Sequence, residues 1–194
     1  GFPELTYPSR LEILLELEFG QGSWAVHNQG VNGYRAEDVV ADLSAPGALC
    51  QDPDYVLLKV GGNDLAGATV ETIGALIEET TGEVQFCVDL AATHENGDGT
   101  HPEVIVSAFI PNRLEEGLGS LAIYYYNLNL ESELSGYRVW FTENWDDFYD
   151  PSTGEADISL MFDWVHPNAD GYEIMAENWF GVLESLTAPS PTPA

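Results

Sequence analysis

The chain has 194 residues, a usual length for one domain with its own core, and carries 33 Asp and Glu against 5 Lys and Arg, a formal net charge of −28. That balance excludes nucleic acid as a partner, because phosphate binding depends on Lys and Arg displacing counterions, and it disfavours anionic lipid and polyuronic acids, so neutral substrates are expected. No apolar run approaches the roughly 20 residues of a membrane span, and the carboxylates are scattered, as on a solvated surface.

Tyr7 to Phe19 places Leu11, Leu14, Leu15 and Phe19 at helical spacing with Pro8 in the first turn, which predicts an amphipathic helix ended by Gly20 and Gly22. Trp24 to Asn28 is short and apolar and reads as a strand running into the turn Asn28-Gln29-Gly30-Val31-Asn32-Gly33. A helix is predicted over about 35–43. Tyr55-Val56-Leu57-Leu58-Lys59-Val60 is nearly unbroken hydrophobic, as in a parallel strand covered on both faces, and it ends in Gly61-Gly62-Asn63-Asp64. Helical periodicity follows over 70–79 and again over 84–94, with Gly82 as the break between them.

After a polar loop over 95–102, Val104 to Phe109 predicts the next buried strand, followed by a helix over 121–134 and a strand over 137–141. The last helix, over 168–186, shows Tyr172, Met175, Trp179, Leu183 and Leu186 as a core-facing stripe. Strands alternating with helices predict a doubly wound α/β domain over residues 1–186. The tail 187–194 is rich in Pro and Thr and reads as a linker or disordered end.

Three clusters carry chemistry-bearing residues, each with an ordinary structural alternative. Gly33 closes a turn where a backbone N–H can approach a ligand, or is simply a tight turn feeding a helix. Asn63 offers an amide donor to a developing oxyanion at the end of a buried strand, or Asn63 or Asp64 caps the following helix. Asp163 precedes His166 by three residues in Asp163-Trp164-Val165-His166-Pro167; it can fix the imidazole tautomer and leave Nε2 as a general base, or His166 is a surface histidine beside a helix-starting proline.

Other candidates are weaker. Cys50 and Cys87 have no metal-ligand spacing, so no metal site is expected, and whether they form a disulfide stays open. His27, His94 and His101 lack a matching carboxylate motif, and 95–100 reads as a solvated turn without EF-hand spacing. The run Tyr124-Tyr125-Tyr126 either lines a sugar- or acyl-binding groove or packs into a helical core. No cofactor is implied.

Taken in order, the turn ending at Gly33, Gly61-Gly62-Asn63-Asp64, and Asp163-x-x-His166-Pro167 before the last helix resemble the SGNH (GDSL-like) hydrolases over nearly the whole chain. Tyr7-Pro8-Ser9-Arg10-Leu11 resembles the start of that family's first helix, and Asn168-Ala169-Asp170-Gly171-Tyr172 the segment after its catalytic histidine. The resemblance implies a flavodoxin-like three-layer sandwich with a parallel sheet of about five strands. It implies acyl-ester hydrolysis through an acyl-enzyme, with Gly33 and Asn63 in the oxyanion hole, His166 as base and Asp163 as its orienting partner.

The family's nucleophilic serine lies in a Gly-Asp-Ser block after its first strand, upstream of the Tyr-Pro helix start, and no Gly-Asp-Ser occurs in this chain. Ser9 and Ser23 lack the exposed strand-to-helix turn of such a nucleophile. The expectation is therefore an N-terminally truncated SGNH domain whose first strand and nucleophile lie outside the chain. The expected substrate is a neutral carbohydrate bearing short acyl groups, or a small acyl ester. A lysophospholipase or thioesterase activity, or a binding module without catalysis, is the alternative. The Pro/Thr tail resembles linkers of multidomain secreted enzymes, which points to a secreted or extracellular protein.

Overall fold

The computed structural model describes residues 6–49, 51–113, 118–134 and 139–187. Cys50 and the tail from residue 188 therefore lie outside the described residues, as does the predicted beginning of the strand at 137. The described parts group into two compact units, one from residues up to Gly30 together with those from Ile158 onward, the other from Val31 to Asp157.

The first unit pairs two helices. In α1 (Tyr7–Phe19), Pro8 occupies the first turn, where a missing N–H costs nothing, and Gly20 ends the helix at φ +101 with its N–H on the Glu16 carbonyl. Leu11 and Leu15 are fully buried, whereas Phe19 is exposed and sits against Trp24 at 5.8 Å. Their partner is α5 (Ala169–Thr187), whose Met175, Trp179 and Leu183 fall on one stripe and are buried. Tyr7 stacks on Trp179 at 6.3 Å, and Arg10 pairs with Glu173 across the two helices. Each buried Leu or Met contributes about 1.5–3 kcal/mol.

The predicted strand at Trp24–Asn28 is not formed. No described strand pairs with it, and an isolated strand cannot satisfy its own backbone groups; the N–H of Val26 instead donates to the Glu12 carboxylate at 3.2 Å.

The second unit holds a parallel three-stranded sheet in the order β1 (Tyr55–Leu58), β2 (Glu103–Ser107), β3 (Val139–Thr142). The register sets Val56 beside Val104 and Val104 beside Val139. Parallel neighbours require long crossovers, here α3 (Ile73–Ala92) between β1 and β2 and α4 (Ser120–Leu134) between β2 and β3. With α2 (Ala36–Leu43), these helices bury Val56, Leu58, Val104 and Val106 against Val84, Val88, Ile123, Tyr126 and Leu130. The α/β class is as the sequence predicts, with three described strands in the parallel sheet where the resemblance implies about five.

The break at Gly82 is absent, since α3 runs unbroken through it. A mid-helix glycine costs about 1 kcal/mol, and the burial of Thr80, Thr81 and Val84 around it outweighs that. An unpredicted hairpin joins β4 (Tyr149–Asp150) to β5 (Glu155–Ala156), with Gly154 at φ +78 in its turn. Arg113 holds the hairpin by pairing with Glu155 at 3.2 Å and donating to the Ala156 carbonyl at 2.9 Å.

Candidate active site

In the first unit the imidazole of His166 meets the carboxylate of Asp163, with Nδ1 at 2.8 Å from one oxygen and 3.0 Å from the other. The loop presets this contact. Asp163 also accepts the backbone N–H of Val165 at 2.9 Å and of His166 at 2.8 Å, a turn that an Asp forms with its own downstream backbone. Burial pushes the Asp163 acid up, but the Val165 N–H, the His166 ring and the His166 N–H together hold it below the ordinary carboxylate range. The group stays ionised, so it can hold an imidazolium, and occupation of Nδ1 leaves Nε2 as the ring nitrogen not engaged by Asp163.

The loop is anchored at its far end. Asn168 caps α5, its side-chain oxygen accepting the N–H groups of Asp170 and Gly171 at 3.0 Å each, while its amide donates to the Ser159 carbonyl at 2.7 Å. A bridge between Met161 and Pro167 closes the loop into a ring. Phe162 and Trp164, 80% and 55% exposed, flank Asp163 and give this surface an apolar border.

In the second unit the turn at Gly33 and the loop after β1 are joined. The Asn63 amide donates to the Tyr34 carbonyl at 2.7 Å, one residue from Gly33, and Asp64 accepts the N–H of Ala36 at 3.2 Å on both oxygens. An amide nitrogen has two hydrogens, so Asn63 keeps a second N–H for an oxyanion. Gly33 sits at φ +81 with open space where a Cβ would stand, so glycine is required there by backbone conformation. Asp64 does not cap a following helix; residues after it form turns, and it caps α2, which precedes it in the chain. Partial burial raises the Asp64 acid, and the Ala36 N–H pulls it back.

The loop that carries Asn63 is seated by α4. Tyr126, fully buried, donates its hydroxyl to the Val60 carbonyl at 2.7 Å, and a Cβ on Gly61 would lie 2.6 Å from its ring. Asn127 pairs with both backbone groups of Phe109, at 2.8 and 2.9 Å, and Phe109 fills the space that a Gly62 side chain would need. Lys59, the chain's one lysine, lies 3.8 Å from the centroid of that same ring, and desolvation lowers its amine to about 8. These supports were invisible in the sequence, because nothing local marks a helix that meets a loop over sixty residues away.

The structure thus brings Asp163 to His166 in one unit and Asn63 beside Gly33 in the other. His27 is exposed, and His101 is tied by Nδ1 to the His94 carbonyl at 2.7 Å. In the 95–100 turn, Asp98 accepts from Thr100 and Asp52 from Gly97. Cys87 is a buried free thiol raised to about 12 by desolvation and the charge of Glu83.

The model of the GDSL-like lipase/acylhydrolase family matches residues 5–179. The chain belongs to that family. Similar solved structures include Axe2, an acetylxylan esterase from Geobacillus stearothermophilus, at TM-score 0.72 and 17% identity, covering 95% of this chain and 82% of that one. A member of the lipolytic protein G-D-S-L family from Veillonella parvula superposes at TM-score 0.68 and 16% identity over 93% of this chain and 88% of that one. The acetyl xylan esterase AlAXEase does so at 0.68 and 16%, over 94% and 92%. At these identities the likeness shows the shared SGNH-type α/β fold. No curated protein matches the sequence. As a GDSL-like acylhydrolase, the chain is of a family that hydrolyses acyl esters, and no helix among its described residues is long and apolar enough to cross a membrane.

Proposed function

We propose that this GDSL-like chain serves a serine ester hydrolase that removes short acyl groups, acetyl foremost, from a neutral carbohydrate outside the cell. The observation that carries the reading is the Asp163–His166 pair at 2.8 Å in the loop that opens the last helix. The acetyl xylan esterases among the similar folds support the substrate class, and the net charge of −28 favours uncharged targets.

In this reading Nε2 of His166 takes the proton of a serine hydroxyl as its oxygen attacks the ester carbonyl, and Asp163 stabilises the imidazolium. The oxyanion is received by the Gly33 N–H and the second N–H of Asn63. The imidazolium returns its proton to the departing alcohol, and a water deprotonated by His166 then releases the acid from the acyl-serine. The 194 residues contain no Gly-Asp-Ser, so the reading assigns the nucleophile to sequence outside them.

The test compares p-nitrophenyl acetate hydrolysis by the chain as given, by a form extended through the coding sequence before Gly1, and by His166→Ala in each. The expected result is turnover that falls at least about 100-fold in His166→Ala, the contribution of one general base. Turnover that survives His166→Ala, or none in either form, would defeat the reading.

A further inference from the structure

The run Tyr124-Tyr125-Tyr126 divides in the fold. Helical rotation turns Tyr126 into the core, 0% exposed, and leaves Tyr124 and Tyr125 41% and 51% exposed. These exposed rings join others. Tyr124 lies 5.7 Å from Tyr125 and 5.5 Å from Trp145, and Trp145 stacks on Tyr149 at 5.6 Å with 25° between planes. Three half-exposed rings, Tyr124 and Tyr125 on α4 and Tyr149 (37%) on β4, thus form a surface strip bridged by Trp145, which is itself buried as part of the core.

The strip is built rigidly. The N–H groups of Asn144 and Trp145 both donate to the Glu143 carboxylate, at 2.9 and 2.5 Å, and the Asn144 amide reaches the Ser107 hydroxyl at 2.7 Å at the end of β2. A surface row of aromatics held in place is a binding feature, because exposed apolar area costs stability unless a partner covers it. Preorganised rings also bind without losing much conformational freedom.

Resting on the carbohydrate reading above, we propose that this strip is a platform for a neutral polysaccharide, on which successive sugar rings stack. A pyranose presents a face of C–H bonds that fits the negative face of an aromatic ring, while its rim of hydroxyls needs acceptors. Asp146, exposed in the same loop, and the tyrosine hydroxyls supply such acceptors. Nucleic-acid bases also stack on aromatics, but they come with phosphates that require a basic groove. Here the charged side chains of that loop, Glu143, Asp146 and Asp147, are acidic, and the chain as a whole carries −28. The same charge rejects uronic-acid polymers.

Affinity electrophoresis of the full chain through gels holding soluble xylan, mixed-linkage glucan or galactomannan, with polygalacturonate as the charged control, tests the proposal. The chain is expected to be retarded by at least one neutral polymer and not by polygalacturonate. Tyr124→Ala/Tyr149→Ala is expected to weaken that affinity at least about tenfold, while Tyr124→Phe/Tyr149→Phe, which keeps the rings, retains most of it. Circular dichroism confirms that these exposed variants fold. No retardation by any neutral polymer, or retardation unchanged in the alanine variant, overturns the platform. Hydrolysis of p-nitrophenyl acetate, an ester too small to span the strip, separates the two readings. Turnover by either form of the preceding test without retardation leaves the esterase and removes the platform, and retardation with turnover by neither form does the reverse.

Discussion

Gly61→Ala tests the packing that seats the candidate oxyanion loop. Gly61 adopts φ +114, and a Cβ there would stand 2.6 Å from Cζ of Tyr126 and 2.9 Å from Cγ2 of Thr80, with the Tyr126 hydroxyl closer still. The backbone conformation alone costs a non-glycine residue about 1–3 kcal/mol. Tyr126 must also move, and moving takes its hydroxyl off the Val60 carbonyl, leaving a buried polar group unsatisfied for about 1–3 kcal/mol more. The sum is about 2–6 kcal/mol, and each kcal/mol lowers the melting temperature of a chain this size by roughly 2–4 °C. Urea and thermal unfolding of Gly61→Ala, Tyr126→Phe and the double variant measure it. Removing the hydroxyl takes away the closest clash, so the double variant should be less destabilised than the sum of the singles by about 0.5–3 kcal/mol. A Gly61→Ala chain within about 0.5 kcal/mol of the parent would show that the loop does not rest on Tyr126.

Asn168→Ala removes the cap of α5 and should cost about 1 kcal/mol, with the bond to the Ser159 carbonyl adding to it; urea unfolding reads the loss, and an unchanged midpoint would contradict the cap. Asp163 sits below its ordinary acid range, so its stabilising contribution is present above the unfolded value of about 4 and is lost only as pH falls through the lower folded one. An NMR titration of the Val165 and His166 amides, which both donate to Asp163, should therefore show a midpoint under about 4; a midpoint above it would be inconsistent with the bonds. In a Cys50→Ser background, the Cys87 thiol, fully buried and raised to about 12, should stay inert to Ellman's reagent at pH 8 until the chain is unfolded. Rapid labelling of the native chain would refute that burial.

What was legible in the sequence follows the range of the interaction. The hydrophobic runs at 55–60 and 104–109 announce β1 and β2, and the stripe ending at Leu186 announces α5, because burial imposes periodicity on neighbouring residues. The Asp163–His166 contact was legible too, since three residues separate the partners within one loop. Trp24–Asn28 misled because strand composition describes a candidate, and pairing needs a partner elsewhere in the chain. Gly82 misled because a local propensity of about 1 kcal/mol is small beside the packing of a twenty-residue helix. The β4–β5 hairpin carried a signal in Asp150-Pro151-Ser152-Thr153-Gly154, where Asp150 accepts the Ser152 N–H at 2.8 Å.

By itself the sequence determined the charge that excludes polyanionic partners, the order of motifs that marks a GDSL-like acylhydrolase, and the pairing of Asp163 with His166. Each of these is either a sum over residues or a contact within a few positions. Only the tertiary structure decided that Asn63 reaches the Tyr34 carbonyl across 29 residues, that Asp64 caps the helix before it, and that two tyrosines of three face outward, Tyr124 meeting Trp145. Those contacts depend on crossovers that bring distant segments to the same end of the sheet, and no local pattern encodes where a crossover lands.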